Sequence, residues 1–404
     1  MAVYLKRLSL TNFRNFTRLD MDVPRRSVLL VGDNAQGKTS VLEAIYFLAA
    51  LTSFQTNADR QMVNFLEARN SPAVARIVGE YVRGTRTHKL EVRLILDPVG
   101  VGNGQRLRKE ILLDGVKKQA SDVVGAPGAF SAVVFVPQMS QIIEGGPDER
   151  RRYLNLALAQ AVPAYAGVLS DYTKALEQRN ALLKALDERG GNSDQLEVWD
   201  ETLARLGAQI IQWRIAAVQE LEKQASHVHL ELTHGAEVLR LAYEPAYDPI
   251  PKIALKLDAP TDRSSIPLKD IERGFLNRLR GLRSEEIARG VTTIGPHRDE
   301  MRFLANQIDL GDYGSRGQIR TTLLSLKLAE VAWIHARTGQ WPVILLDEVM
   351  SELDLHRRAD LLKHLNEAEQ SLLTSTDLHM FTPEFVEGAK VWRVKAGTVQ
   401  QEKT

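Results

Sequence analysis

The sequence contains no cysteine. That excludes disulfides, thiolate metal sites and thiol nucleophiles, and it is compatible with a reducing compartment. No stretch approaches ~18 uncharged apolar residues, so no membrane span is expected. The first residues, Met1 to Arg7, read directly into a strand and lack the apolar core of a signal peptide. A soluble, cytoplasmic protein is the expectation. An excess of one charge is missing too, since 52 Lys and Arg stand against 51 Asp and Glu, a net charge of +1. Bulk electrostatics neither propose nor exclude a nucleic acid, and any such contact has to come from a local patch. Basic clusters are present at Arg83, Arg86, Lys89 and Arg93; at Arg106, Arg108 and Lys109; at Lys117 and Lys118; at Arg150, Arg151 and Arg152; and at Arg273, Arg278, Arg280 and Arg283.

The 404 residues suffice for two or three domains and a sizeable core. Their most informative string is Gly32-Asp33-Asn34-Ala35-Gln36-Gly37-Lys38-Thr39, which fits G-x-x-x-x-G-K-[ST]. It lies between the apolar run Val28 to Val31 and a helix-like stretch, Val41 to Ile45. Polyphosphate needs unhindered backbone N–H groups, hence the glycines, and a helix starting near Lys38 aims its N-terminal dipole at the anion. Lys38 is expected to reach the β- and γ-phosphates of ATP, and the Thr39 hydroxyl to ligate Mg²⁺.

A second half-site lies far downstream. Val343-Ile344-Leu345-Leu346 runs into Asp347-Glu348, the form of a Walker B strand. The apolar run buries the strand in a parallel sheet, and the acids emerge at its C-terminal end, where such sheets bind ligands. Asp347 is expected to hold the Mg²⁺ shell and Glu348 to polarise the attacking water. Lys38 and Asp347 are 309 residues apart, so the N- and C-terminal segments are expected to build one head. A third string, Ser315-Arg316-Gly317-Gln318, opens a helix, and Ser315 with the Gly317 N–H forms a second anion-binding corner.

Between these halves the texture changes to helix after Gly145-Gly146-Pro147. Tyr165, Leu169, Tyr172, Leu176, Arg179, Leu183 and Leu186 step by four and three, and so do Trp199, Leu203, Leu206, Ile210, Trp213 and Ala217. Each is a heptad seam. Gly190-Gly191-Asn192 between them predicts a hairpin with arms roughly 35–40 Å long; the two helices read equally well as part of a helical core. Residues 244–268 read as a loop, followed by a helix over Leu268 to Arg289 and a strand over Gly290 to Leu304. The expected segments are a head part at 1–125, a helical arm at 126–290 and a second head part at 291–404.

With Leu8 to Phe16, the loop at 32–39, Gly145 to Arg151, Thr292 to Asp299, Gly314 to Gln318 and Leu345 to Leu355 together, the chain resembles the ATP-binding-cassette ATPases of the SMC type. Within them it resembles the RecF family of bacterial recombination mediators. The resemblance spans nearly the whole chain. It implies an α/β P-loop ABC/SMC-type head assembled from both ends, with an inserted helical domain carrying a short antiparallel coiled-coil hairpin. It further implies that Ser315, Gly317, Gln318 and Asp354 complete the site of a second copy in an ATP-dependent homodimer. Binding to single-stranded, gapped or junction DNA, partnership with RecR and RecO, and recombinase loading during repair and the SOS response, with slow DNA-stimulated ATP hydrolysis, are implied likewise. Gln138 departs from the family, whose members usually carry an acid there. After the last core strand Thr376 and Asp377 stand where a switch histidine is common, and His379 reads as a surface residue. A DNA clamp that binds ATP without turnover is the competing reading, and Glu348 argues against it.

Overall fold

The computed structural model describes residues 3–69, 72–98, 105–250 and 262–402. The chain divides into two compact units, Met1–Met139 with Lys327–Thr404, and Ser140–Leu326. The second boundary falls inside the helix Arg316–Thr338.

The first unit contains two six-stranded sheets. One is antiparallel, in the order Phe16–Asp22, Val3–Phe13, Ala73–Arg83, Arg86–Pro98, Gln105–Leu113, Val116–Lys118. Its strand Val3–Phe13 alternates, burying Val3, Leu5, Leu8, Leu10 and Phe13. The exposed pair Lys6 and Arg7 marks a register shift against Ala73–Arg83, as a bulge requires.

The other sheet runs Thr398–Gln401, Lys390–Lys395, Arg26–Val31, Gln370–Ser375, Val343–Asp347, Ala132–Phe135. Five of its strands are parallel, and Thr398–Gln401 adds an antiparallel edge through the last hairpin. Continuous apolar runs fit strands covered on both faces, and Val343–Asp347 and Ala132–Phe135 are buried throughout. The helix Lys38–Ala50 packs against strands of both sheets and is buried from Val41 to Ala49, which explains why its sequence shows no polar stripe. One strand, Gln370–Ser375, separates Arg26–Val31 from Val343–Asp347. Lys38 and Asp347 therefore meet at the carboxyl ends of the two parallel strands that flank Gln370–Ser375, where such sheets hold ligands.

The second unit contains the helices Pro147–Ala161, Tyr165–Arg189, Glu197–Leu232 and Leu268–Arg289, with a three-stranded sheet, Ile308–Asp309, Glu300–Ala305, Leu239–Glu244. The heptad helices fold back at Gly190 and Gly191, whose φ of 67° and 138° suit glycine, and Asn192 accepts the Asp194 N–H at the next turn. Tyr165, Tyr172, Arg179 and Leu186, seven apart, are buried. The pair is not left bare: Leu268–Arg289 packs along both of its helices. Near the hairpin turn, Leu183, Leu186 and Leu196 close the core with Leu182 and Ile287.

Arg179 does not break the seam. Its Nε donates to Asp200 at 2.7 Å, and one Nη lies 2.8 Å from Thr292 Oγ1 and 2.7 Å from Glu286. All three charged side chains are fully buried, so the guanidinium bolts three chain segments together.

The limits of the arm differ from those read in the sequence, 140–326 instead of 126–290. Ala132–Phe135 hydrogen-bonds to Val343–Leu346 and so belongs to the first unit. Glu300–Ala305 pairs with Leu239–Glu244, which keeps that part of 291–404 with the helices. The strand expected over Gly290 to Leu304 forms only from Glu300, because Gly290 ends a helix at φ 62° and Pro296–Arg298 makes a helical turn. Residues 251–261 of the expected loop lie outside the described residues.

Candidate functional site

The loop Gly32–Gly37 needs its glycines for space. A Cβ on Gly32 would clash with the Val394 carbonyl oxygen, and one on Gly37 would come within 2.7 Å of Asn15 Nδ2. Gly37 also takes φ 111° as the residue that starts the helix. The loop is tied down from two sides: Asn15 Nδ2 and the Gly397 N–H both donate to the Gln36 carbonyl, and the Ala396 N–H donates to Gln36 Oε1.

Lys38 is 4% exposed. Its Nζ donates to the Gly32 carbonyl at 2.5 Å and to that of Asp33 at 3.2 Å, and lies 2.8 Å from Glu348 Oε1. Thr39 Oγ1 donates to Asp347 Oδ1 at 2.9 Å. Thus the four residues expected to carry the chemistry meet at one point. Glu348 holds φ 55°, uncommon for a residue with a side chain, as the chain turns off the strand.

Thr374 belongs to this cluster and was not read from the sequence. From the intervening strand its Oγ1 donates to Asp347 Oδ1 at 2.7 Å and accepts the Glu348 N–H at 2.9 Å. The hydroxyl residue directly after Leu372-Leu373, at the end of a buried strand, was the available signal. Burial raises the Asp347 pKa from its ordinary value and the charge of Glu348 adds to this, while Thr374, Thr39 and Lys38 oppose it. The Thr39 hydroxyl and the Asp347 carboxylate offer two hard oxygen donors together, the donor chemistry of Mg²⁺. No cluster of three or more His, Cys, Asp or Glu that could hold a metal ion occurs among the described residues.

A pocket of about 760 Å³ opens beside the loop, lined by Asn34 to Ser40, Glu348, Arg14, Asn15, Gln55, Gln61 and Val63 to Leu66. Arg14 is fixed by a buried carboxylate on the loop's helix, Glu43, through Nε at 2.7 Å and Nη2 at 2.6 Å. Its remaining Nη1 donates to the Gln61 carbonyl at 3.0 Å.

In the second unit, Ser315 and Gln318 cap each other: the Ser315 N–H donates to Gln318 Oε1 at 3.0 Å, and the Gln318 N–H to Ser315 Oγ at 3.3 Å. The amide of Gln318 is anchored on Glu237 at 2.9 Å. Ser315 and Gly317 are exposed, and a Cβ on Gly317 would meet nothing within 4 Å. In the first unit, Asp354 caps the helix Leu355–Glu367 by accepting the Arg357 N–H, which together with the Arg357 guanidinium lowers its pKa.

Residues 4–400 match the RecF/RecN/SMC N terminal domain family. The DNA replication and repair protein RecF of Exiguobacterium sp. is 35% identical over 400 residues, 99% of this chain and 100% of that one. The chain belongs to the RecF family. The RecF of Roseiflexus castenholzii is 38% identical over 406 residues, covering 98% of this chain and 99% of its own. A solved structure of the recombination mediator protein RecF with ATP in the RecFOR pathway superposes with a TM-score of 0.83 at 30% identity, over 99% of this chain and 98% of that one. An SMC head bound to the C-winged helix domain of ScpA reaches a TM-score of 0.51 at 13% identity, a likeness of fold, covering 99% and 97%. The fold is that of an SMC-like ABC ATPase head.

In this RecF-family chain, Gln138 is exposed after the strand Ala132–Phe135. The His379 side chain is 94% exposed, and Asp377 accepts the His379 N–H. Most of the basic clusters are neutralised locally. Arg93 pairs with Glu91, Arg108 with Asp97, Lys109 with Asp59, Lys117 with Glu110, Arg150 with Glu300, Arg273 with Asp270, and Arg280 and Arg283 with Glu197. Among the described residues Arg86, Lys89, Arg106, Lys118 and Arg278 are exposed and form no ion pair.

Among the described residues no helix is long and apolar enough to cross a membrane.

Proposed function

We propose that this RecF-family chain is an ATP-hydrolysing, DNA-binding protein of replication and repair. The observation that carries the reading is the convergence of Lys38, Thr39, Asp347 and Glu348 at the carboxyl ends of parallel strands of one sheet. ATP phosphates bind over the loop 32–39, whose N–H groups and helix N-terminus favour anions. Lys38 exchanges its loop carbonyls and Glu348 for the β- and γ-phosphate oxygens. That exchange releases the Glu348 carboxylate to accept a proton from the attacking water. Thr39 and Asp347 hold Mg²⁺, which neutralises phosphate charge.

Ser315, Gly317, Gln318 and Asp354 act on the nucleotide of a second copy. The exposure of Ser315, Gly317 and Asp354 supports this, since a helix N-terminus mounted on the surface is available to another molecule. ATP then joins two protomers head to tail, and hydrolysis releases them. The closed dimer grips single-stranded, gapped or junction DNA by salt-sensitive phosphate contacts. Arg86, Lys89, Arg106, Lys118 and Arg278 are the first candidates, because their charge is not spent on a carboxylate. The relatives named DNA replication and repair protein RecF, and solved structures of the recombination mediator RecF set in the RecFOR pathway, support RecR and RecO as partners. Recombinase loading at gaps during the SOS response is the outcome of this reading.

The test is phosphate release from ATP across a protein concentration series, with and without gapped DNA. Turnover per protomer rises with concentration and with DNA if the reading holds. A monomer in sedimentation at saturating ATP, with turnover independent of concentration, overturns it.

A further inference from the structure

Phe65 is the exposed phenylalanine among the described residues, at 68%, and it lines the pocket beside the phosphate-type loop. Its neighbour Leu66, at 66%, lines the same pocket. Single exposed apolar side chains need no explanation. Here the backbone beneath the pair is held with unusual firmness.

The buried Asn64 sits at the centre. Its N–H donates to the Asn12 carbonyl at 2.8 Å and its Nδ2 to the Arg14 carbonyl at 2.8 Å, while its Oδ1 accepts the Leu66 N–H at 3.0 Å. The Arg14 N–H donates to the Met62 carbonyl, Val63 bridges Phe13, and the Arg14 guanidinium holds the Gln61 carbonyl. The guanidinium of Arg69 lies 4.4 Å from the centre of the Phe65 ring, on one face. An aromatic ring on immobilised backbone, backed by a cation on one face and bordered by Leu66, is a stacking platform.

We infer that Phe65 is the base-stacking residue of the nucleotide pocket, its ring receiving the purine while the loop holds the phosphates. The inference rests on the nucleotide reading of the loop. Stacking a base on such a ring contributes to affinity in proportion to the face covered, and no hydrogen-bond donor is needed.

The experiment compares equilibrium binding of ATP and of inorganic tripolyphosphate to the full-length protein, Phe65→Ala, Phe65→Trp and Lys38→Ala. Phe65→Ala is expected to weaken ATP by roughly tenfold and to leave tripolyphosphate within twofold. Phe65→Trp retains wild-type affinity for both, and Lys38→Ala loses both. Equal ATP affinity in wild type and Phe65→Ala, or a parallel loss of both ligands, overturns the stacking role. If the wild-type protein binds neither ligand, the nucleotide reading itself falls.

Discussion

The ammonium of Lys38 lies 2.8 Å from the carboxylate of Glu348, on chain segments 310 positions apart. One residue is expected to bind phosphate and the other to activate water, and each neutralises the other inside a largely buried corner. On the proposed reading, phosphate would draw Lys38 away and so free the base only when substrate is present.

Glu348→Gln keeps the shape and removes the base. Phosphate release should fall by about 10²-fold or more, while ATP binding persists and the ATP-dependent dimer accumulates in sedimentation. Undiminished turnover would take Glu348 out of the chemistry.

Asp347→Asn should make the protein more stable and inactive at neutral pH. The Asp347 pKa is raised in the folded state, so its charged form costs stability above that pKa, and the cost disappears as acid protonates the group. Asparagine keeps the acceptor for Thr39 and Thr374 without the charge. The gain in Tm should be present at pH 7 and shrink as the pH falls through the titration of Asp347. Turnover is lost because the metal-binding charge is gone.

Thr374→Val removes one hydrogen bond that favours the ionised form of Asp347. Its pKa then rises further. The acid limb of the pH–rate profile for phosphate release should move to higher pH, and a profile that does not move would limit Thr374 to packing.

Arg179→Ala leaves Glu286 buried without its cation, while Asp200 keeps only Arg283. Urea unfolding of the full chain should show a loss of roughly 3–5 kcal/mol. A loss under about 1 kcal/mol, the range of exposed pairs, would mean that the network is solvated.

Much of this was legible in the residues. The loop 32–39, the strand ending at Asp347 and the helix Leu268–Arg289 were readable because glycine spacing, apolar runs and helical periodicity act locally. Thr374 escaped because its role depends on strand order, a long-range property that places it between Arg26–Val31 and Val343–Asp347. What a charged Arg179 does in a heptad seam was hidden for the same reason: its carboxylate partners come from two other helices. The arm's limits were misplaced where strands join distant partners, at Ala132–Phe135 and Glu300–Ala305. The spent charge of the basic clusters is likewise visible only once cross-strand neighbours such as Asp97, beside Arg108, and Glu110, beside Lys117, are known.

The central claim is that each working site is shared by two copies, with Lys38 from one and Ser315 from the other. Mixing Lys38→Ala with Ser315→Arg protein tests it most directly, with phosphate release as the readout. Each variant alone should be inactive. A mixed dimer contains one site with both defects and one with neither, so the mixture should recover up to about a quarter of wild-type turnover. A mixture no more active than its separate components would contradict the shared site.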